Sequence, residues 1–245
     1  MLRILAIGNS FSDDATARLA AIAKADGVEL TAVNLFVGGC SLEQHVGFLH
    51  DGSAPYIYEV DGVLTERFVS VPEILADGVW DVVTIQQASH FSGKPETYFP
   101  YAEELMGVIR EAQPTAQILF HQTWAYEIDS THWAFPAYGS SQIQMYEAIV
   151  KASQEAAERL GIGLIRAGEA IQRLRAEAPF DYAKGGISLC RDGFHLHLTY
   201  GRYAAAAVWY ETLTGRDIRK NDYCPEGCEE GLITEVKRVV SSVLR

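Results

Sequence analysis

The chain has 245 residues, of which 48% are hydrophobic and 21% charged, a composition typical of a folded globular protein and not of a disordered segment. Its formal net charge of -12 opposes binding to nucleic acids or anionic membrane surfaces, so we expect a neutral small molecule as its partner. Because no apolar run approaches the ~20 residues that span a bilayer and no leader pattern precedes the first apolar run, we expect a cytoplasmic location.

The first half of the chain alternates short apolar runs with helical patterns. Strands are predicted at residues 2–7, 30–37 and 81–85, and helices at 13–26, from Ser41 through Val46, and at 97–112. Residues 56–71 alternate on either side of Asp61-Gly62, which predicts a surface hairpin inserted near 55–71.

The second half continues the alternation. Strands are predicted at residues 117–121 and 162–166, and helices at 140–160, 168–178, 199–213 and 229–244. Nearly apolar strands separated by helices predict a single α/β domain over residues 1–245. We expect a three-layer α/β/α sandwich with a central parallel sheet of about five strands.

A long aromatic loop precedes the helix at 140–160 and carries Trp124, Trp133 and Tyr138. Long loops in compact domains are often functional, so these rings are candidates for a sugar platform or an acyl pocket. Packing over the sheet edge is an equally good interpretation from sequence alone.

The cysteines and most histidines are expected to be structural. Four cysteines at unequal spacing (Cys40, Cys190, Cys224 and Cys228) do not form the framework of a disulfide-rich fold. Cys224 and Cys228 lack the second ligand pair of a structural zinc site, so we predict no metal and no cofactor. His45, His121 and His132 are expected to be hydrogen-bonded structural histidines.

Ser10 is the candidate nucleophile because it directly follows a predicted strand and Gly8. A serine hydroxyl needs a neighbouring base to take its proton before it attacks a carbonyl. The alternative is that Ser10, or Ser12 with Asp13, only caps the following helix.

His195 is the candidate base, and Asp192 lies one helical turn before it, where a carboxylate can orient the imidazole. In the alternative interpretation Asp192 is a helix cap and His195 a solvated loop residue. His197 competes as the base, but its spacing suits Asp192 less well.

These segments together resemble the SGNH/GDSL hydrolase family. Three blocks carry the resemblance: Gly8-Asn9-Ser10-Phe11-Ser12, Gly38-Gly39, and Asp192-Gly193-Phe194-His195 followed by Gly201-Arg202-Tyr203. Asn9 stands where the family usually has aspartate, a variation that leaves the nucleophile intact. The resemblance, which extends to the penultimate helix, implies a flavodoxin-like SGNH fold. It also implies a Ser10, His195 and Asp192 triad and an oxyanion hole that includes the amides of Ser10 and Gly39.

The third block departs from the family pattern. Residues 86–90 read Gln86-Gln87-Ala88-Ser89-His90, where the family typically has Gly-x-Asn-Asp and uses the Asn side chain as an oxyanion donor. We expect Gln87 to supply this donor, with Gln86 and His90 as alternatives. Gln86, Ser89, His90 and Trp124 are the expected substrate-binding residues.

The resemblance implies hydrolysis of a small-molecule carboxylic ester through an acyl-enzyme, with removal of acetyl groups from a carbohydrate as the leading reaction. A lysophospholipase or acyl thioesterase of the same fold is the second hypothesis. A third is a non-catalytic carbohydrate-binding protein, since the usual Asn donor is replaced. The oligomeric state stays open between a monomer and a homo-oligomer.

Overall fold

The computed structural model describes all residues from 1 to 245, and its seven strands form one sheet. The strands are β1 (Leu2–Gly8), β2 (Leu30–Phe36), β3 (Tyr56–Val60), β4 (Val63–Val69), β5 (Val82–Ile85), β6 (Gln117–His121) and β7 (Gly163–Ile165). Their order across the sheet is β4-β3-β2-β1-β5-β6-β7. Strands β2, β1, β5, β6 and β7 are mutually parallel and correspond to the five predicted strands.

The sheet is larger than predicted because the hairpin joins it. β3 pairs antiparallel with β2, and β4 then pairs with β3 to form the sheet edge. Asp61 and Gly62 both have positive φ, as a tight two-residue hairpin requires. The predicted hairpin is present: six of the seven residues of β4 are exposed, whereas Tyr56 and Glu59 of β3 are buried because β3 also pairs with β2.

Nine α-helices surround the sheet: α1 (Ser10–Thr16), α2 (Leu19–Ala25), α3 (Leu42–Asp51), α4 (Val71–Leu75), α5 (Tyr101–Ala112), α6 (Gln142–Leu160), α7 (Ala167–Arg175), α8 (Tyr200–Thr214) and α9 (Glu230–Leu244). The single helix predicted at 13–26 is divided into α1 and α2. The division lies at Ala17 and Arg18, where the turn glycine of the hairpin, Gly62, contacts the Ala17 backbone.

The two faces of the sheet are covered by different helices. Alternate residues of β1 enter two apolar clusters, Ile4 and Ala6 with α1, α2, α7, α8 and α9, and Leu5 and Ile7 with α3, α4 and α5. Helix α6 contributes to both clusters. None of the helices combines the length and the apolar character that a membrane crossing requires.

Because the central strands are parallel, the loops that follow β1, β2, β5 and β6 meet at one edge of the sheet. These loops carry three of the four segments that the sequence singled out. The fourth, residues 192–195, precedes α8 and reaches the same edge.

Candidate active site

Ser10 is the first residue of α1, and its hydroxyl is not used to cap that helix. Asn9 is the N-cap, and its side-chain oxygen accepts a hydrogen bond from the Phe11 amide at 2.9 Å. The Ser12 hydroxyl accepts from the Asn9 amide at 3.0 Å, which completes a capping box. The capping alternative for Ser10 is therefore wrong, because its neighbours fill that role.

His195 contacts Ser10, although the two residues are 185 apart in the chain, and Asp192 contacts the other side of the His195 ring. His195 Nε2 lies 2.9 Å from Ser10 Oγ, and His195 Nδ1 lies 2.7 Å from Asp192 Oδ2. The His195 side chain is 21% exposed and that of Asp192 41%. The structure thus forms a continuous hydrogen-bonded path from hydroxyl to carboxylate at an edge open to solvent.

Asp192 fixes the orientation of the imidazole. Burial raises the pKa of Asp192, but hydrogen bonds from the His195 ring, from the His195 amide and from the Phe194 amide outweigh it, and the pKa lies below its usual value. An ionised Asp192 accepts a hydrogen bond from Nδ1–H of the imidazole. With Nδ1 directed at Asp192, Nε2 faces the Ser10 hydroxyl, which is the arrangement a general base needs.

The loop at residues 37–40 is connected to the segment that carries Ser10. The Ser10 and Gly39 amides have no intramolecular acceptor, since Ser10 opens its helix and Gly39 lies in the turn before α3. Asn9 Nδ2 donates to the Cys40 carbonyl at 3.0 Å and so ties this loop to the Ser10 segment. Free amides at a helix start suit a developing negative charge.

The expected role of Gln87 is not supported by its contacts. Gln87 Nε2 donates to the Thr97 carbonyl at 2.9 Å and to the Thr97 hydroxyl at 3.1 Å, which uses both amide hydrogens. Its oxygen accepts from the Leu42 and Ala88 amides. Gln87 is 1% exposed and braces the start of α3, so it has no hydrogen left for an oxyanion.

Gln86 and Ser89 are also buried, at 1% and 7% exposure, and do not line a substrate surface. Gln86 Nε2 donates to Asn9 Oδ1 at 2.8 Å, and its oxygen accepts from His121 Nδ1 at 2.8 Å. The Ser89 hydroxyl pairs with the Tyr126 hydroxyl at 2.9 Å. Gln86 therefore connects Asn9 to His121 and supports the segment that carries Ser10.

Trp124 and His90, both expected to bind substrate, differ in burial and in hydrogen bonding. Trp124 is fully buried and stacks on Phe11, with ring centroids 4.4 Å apart. Its indole N–H donates to the Phe194 carbonyl at 2.8 Å, so it supports the His195 loop and is not available to substrate. His90 is partly exposed, and its ring nitrogens have no intramolecular partner.

A buried carboxylate joins the two halves of the site. Asp14, one turn after Ser10, is fully buried and accepts from the Leu196 amide at 2.7 Å. Arg191 Nη1 and Arg202 Nε donate to its other oxygen at 2.8 and 2.7 Å. The helix of Ser10 is thereby held to the loop of His195 by two hydrogen bonds to one side chain and to α8 by a third.

Residues 3–238 match the family DUF4886, a domain of unknown function. The chain belongs to the DUF4886 family. A DUF4886 family protein from Bacteroides uniformis has the same fold, with a TM-score of 0.93 and 38% identity over 99% of this chain and 94% of that chain. No curated protein sequence matches this one.

Solved hydrolase structures share the fold of this DUF4886 protein. A candidate SGNH hydrolase from Slackia heliotrinireducens has a TM-score of 0.60 at 24% identity, over 86% of this chain and 98% of that chain. A lipase/acylhydrolase from Enterococcus faecalis has a TM-score of 0.54 at 16% identity, over 88% and 97%. The predicted SGNH/GDSL hydrolase fold is confirmed, with seven strands in place of about five.

The other histidines of the DUF4886 protein are placed by structural contacts. His197 Nδ1 pairs with the Thr199 hydroxyl at 2.8 Å, so His197 does not compete for Asp192. Burial lowers the pKa values of His45 and His121 to about 3. The Nδ1 atom of His45 is hydrogen-bonded to the Tyr56 hydroxyl and that of His121 to the Gln86 side chain. Both are neutral near neutral pH, as structural histidines in a core.

Sequence reasoning missed the residues that hold the site in place. Asn9 has structural contacts that its motif does not indicate, and Asp14 lies outside all the motifs. Glu127 was also missed: it is buried, accepts from the Ser188 hydroxyl at 2.8 Å and lies 3.6 Å from Arg175 Nε. The Glu127 amide donates to the Gly193 carbonyl at 2.7 Å. Arg202 within Gly201-Arg202-Tyr203 was the one available signal, since a charged residue in a buried helix needs a partner.

Proposed function

We propose that this DUF4886 protein is a serine esterase that cleaves carboxylic esters through an acyl-enzyme. Ser10 Oγ attacks the ester carbonyl while His195 Nε2 takes its proton, and Asp192 stabilises the imidazolium that forms. The amides of Ser10 and Gly39 hold the negative carbonyl oxygen. The observation that carries the proposal is the 2.9 Å contact between Ser10 Oγ and His195 Nε2.

The second half of the reaction uses the same groups. The tetrahedral intermediate collapses as His195 returns its proton to the leaving oxygen, and the alcohol departs. Water then attacks the Ser10 ester, His195 accepts the proton of the water, and the carboxylic acid is released as Ser10 regains its proton.

Among esters, an acetyl ester of a carbohydrate or similar small neutral molecule is the proposed substrate. The partial exposure of His195 and Asp192 supports an open site that admits a polar alcohol. The net charge of -12 disfavours anionic substrates such as phospholipid headgroups.

Replacement of the nucleophile tests the proposal. Ser10→Ala is expected to reduce the turnover of p-nitrophenyl acetate by at least ~10³-fold, because the acyl-enzyme cannot form. A fluorophosphonate probe should label wild-type protein and not Ser10→Ala. Wild-type turnover in Ser10→Ala would contradict the proposal, and activity that rises from acetate to octanoate esters would favour a lipid or thioester acyl group instead.

A further inference from the structure

A row of aromatic rings leads away from His195 across the surface of the protein. From His195 to Phe194, from Phe194 to His132 and from His132 to Trp133, the ring centroids are 4.2, 4.9 and 5.5 Å apart. His90 lies 5.3 Å from Trp133 on the far side. We call Phe194, His132, Trp133 and His90 the aromatic surface.

Two members of the aromatic surface, His132 and Phe194, pack on a buried ring beneath them. The buried Tyr126 ring contacts His132 at 4.5 Å and Phe194 at 5.8 Å between centroids. His132 Nδ1 accepts from the Ala134 amide at 3.1 Å, which fixes the orientation of the imidazole. The positions of the His132 and Phe194 rings are therefore set before any ligand binds.

Trp133 is the exposed member of the row, with 73% of its surface accessible. Its neighbours Ala134 and Phe135 are buried, so the core is complete without the indole. Exposing a large aromatic ring to water costs free energy, and such rings mark binding surfaces more often than scattered smaller apolar residues do.

The chemistry of the row combines apolar rings with neutral polar groups. Burial and nearby His195 lower the pKa of His132, and burial, His132 and Lys94 lower that of His90. Neutral imidazoles donate and accept hydrogen bonds without attracting anions. A sugar ring offers the matching pair of features: an apolar face of C–H groups and a rim of hydroxyls.

The position of the aromatic surface relative to His195 indicates which part of the substrate it contacts. His195 gives its proton to the leaving alcohol, so the alcohol must depart on the side of His195. The aromatic surface begins at Phe194, directly beside that ring. An alcohol that extends from the ester oxygen therefore passes over these rings.

We propose that the aromatic surface is the subsite for a sugar ring on the alcohol side of an O-acetylated oligosaccharide, with Trp133 stacked on the ring. The imidazole of His90, whose ring nitrogens have no intramolecular partner, bonds the sugar hydroxyls, whereas His132 contributes only its ring, since its Nδ1 and Nε2 pair with the Ala134 amide and the Tyr126 hydroxyl. This proposal rests on the proposed function, because it assigns the sugar to the ester that Ser10 cleaves.

The test separates binding from turnover. In the Ser10→Ala background, isothermal titration calorimetry with an O-acetylated xylo-oligosaccharide should give a measurable Kd. Adding Trp133→Ala should weaken the Kd about 10-fold, because the stacking contact is lost, and Trp133→Phe should restore part of it. Phe68→Ala is the matched control, since Phe68 is 64% exposed on β4 and lies outside the row.

The outcomes distinguish the two proposals. Equal affinity with and without Trp133, no sugar binding by Ser10→Ala, or the same loss in Phe68→Ala would overturn the subsite. A Trp133→Ala effect confined to p-nitrophenyl octanoate would assign the ring to the acyl group and overturn it too. Turnover of p-nitrophenyl acetate, which has no sugar, reports on Ser10 alone. If Ser10→Ala keeps that turnover, the proposed function fails and the subsite proposal fails with it.

Discussion

Asn9 has a role that aspartate, the usual residue before the nucleophile in SGNH/GDSL hydrolases, cannot fill. Its oxygen accepts from the Phe11 amide and from Gln86, and its Nδ2 donates to the Cys40 carbonyl. An aspartate has no hydrogen for that carbonyl and would place a negative charge against its oxygen. In this chain, therefore, the amide is required where the Ser10 segment meets the loop at 37–40.

Asn9→Asp tests this requirement. Because the side chain is 1% exposed, we expect a loss of about 2 kcal/mol in the free energy of unfolding, together with slower turnover of p-nitrophenyl acetate. Urea unfolding measures the first effect and steady-state kinetics the second. Gln154→Glu adds the same charge on the exposed face of α6 and should change neither. If Asn9→Asp unfolds at the wild-type urea concentration, the Cys40 contact contributes nothing.

At the residue scale, the sequence was a better guide to the three side chains of the Ser10, His195 and Asp192 cluster than to the side-chain amides around them. Ser10, Asp192 and His195 were predictable because each stands in a motif whose spacing fits one geometry. The roles of Gln86 and Gln87 were not predictable, because a side-chain amide at a strand end can form hydrogen bonds with a ligand, with a neighbouring loop or with another strand. Thr97 and His121, distant in sequence, decide which of these partners each amide takes.

Among the structural elements, α1 and the loop that contains His195 depend on each other through Asp14. This carboxylate accepts from Arg191, Arg202 and the Leu196 amide, and Arg191 also donates to the Leu196 carbonyl. A buried carboxylate with three donors keeps its charge compensated, but replacing it leaves Arg191 without a carboxylate partner and Arg202 with Asp13 alone. Movement of either element would lengthen the contact between Ser10 and His195.

Asp14→Asn is expected to lower the rate of Ser10 labelling by a fluorophosphonate about 10²-fold, because misplacing reacting groups by about 1 Å has an effect of that size. The stability should fall by about 3 kcal/mol. The rate is measured at a temperature where circular dichroism shows the variant folded. Asp217→Asn is the control: it loses contacts to Arg219 and Arg245 at the opposite end of α8 and should keep the wild-type rate. A destabilised Asp14→Asn with wild-type labelling would make Asp14 purely structural.

The boundaries between elements were predictable where they depend on local chemistry. Ser41 caps α3 and Asp61-Gly62 turns the hairpin, and both were expected from residue type alone. The break between α1 and α2 was not, because Ala17 and Arg18 are acceptable helix residues. It lies where a segment about 45 residues away, the hairpin turn, packs against the helix.

For the whole molecule, the hairpin brings an acidic group into the interior. Glu59 of β3 has no exposed surface, and its Oε2 accepts from Asn34 Nδ2 at 2.8 Å. Burial, with the nearby Asp13 carboxylate as the next cause, raises the pKa of Glu59 to about 8. Glu59 is therefore protonated in the folded protein at neutral pH and ionised in the unfolded chain.

This difference predicts how the stability of the protein depends on pH. Between the unfolded pKa of 4.5 and the folded pKa of about 8, the folded state binds the extra proton, so the contribution of Glu59 falls as pH rises. The slope is at most about 1.4 kcal/mol per pH unit. His45 and His121, whose pKa values burial lowers to about 3, act in the opposite direction below about pH 6.5. The effect of Glu59 is therefore measured as the difference in the free energy of unfolding between wild type and a variant that lacks this carboxyl group.

Glu59→Gln keeps the shape of the side chain and removes its proton equilibrium. Urea unfolding of both proteins is measured at pH 5, 6, 7 and 8. The variant should gain stability relative to wild type with each step, because only in wild type does the folded state hold a proton on residue 59 that the unfolded chain releases. Glu230→Gln, an exposed change at the start of α9, should give a constant difference. A constant difference for Glu59→Gln as well would mean that this carboxyl group is ionised in the folded protein, with Asn34 and Arg202 sufficient to stabilise its charge.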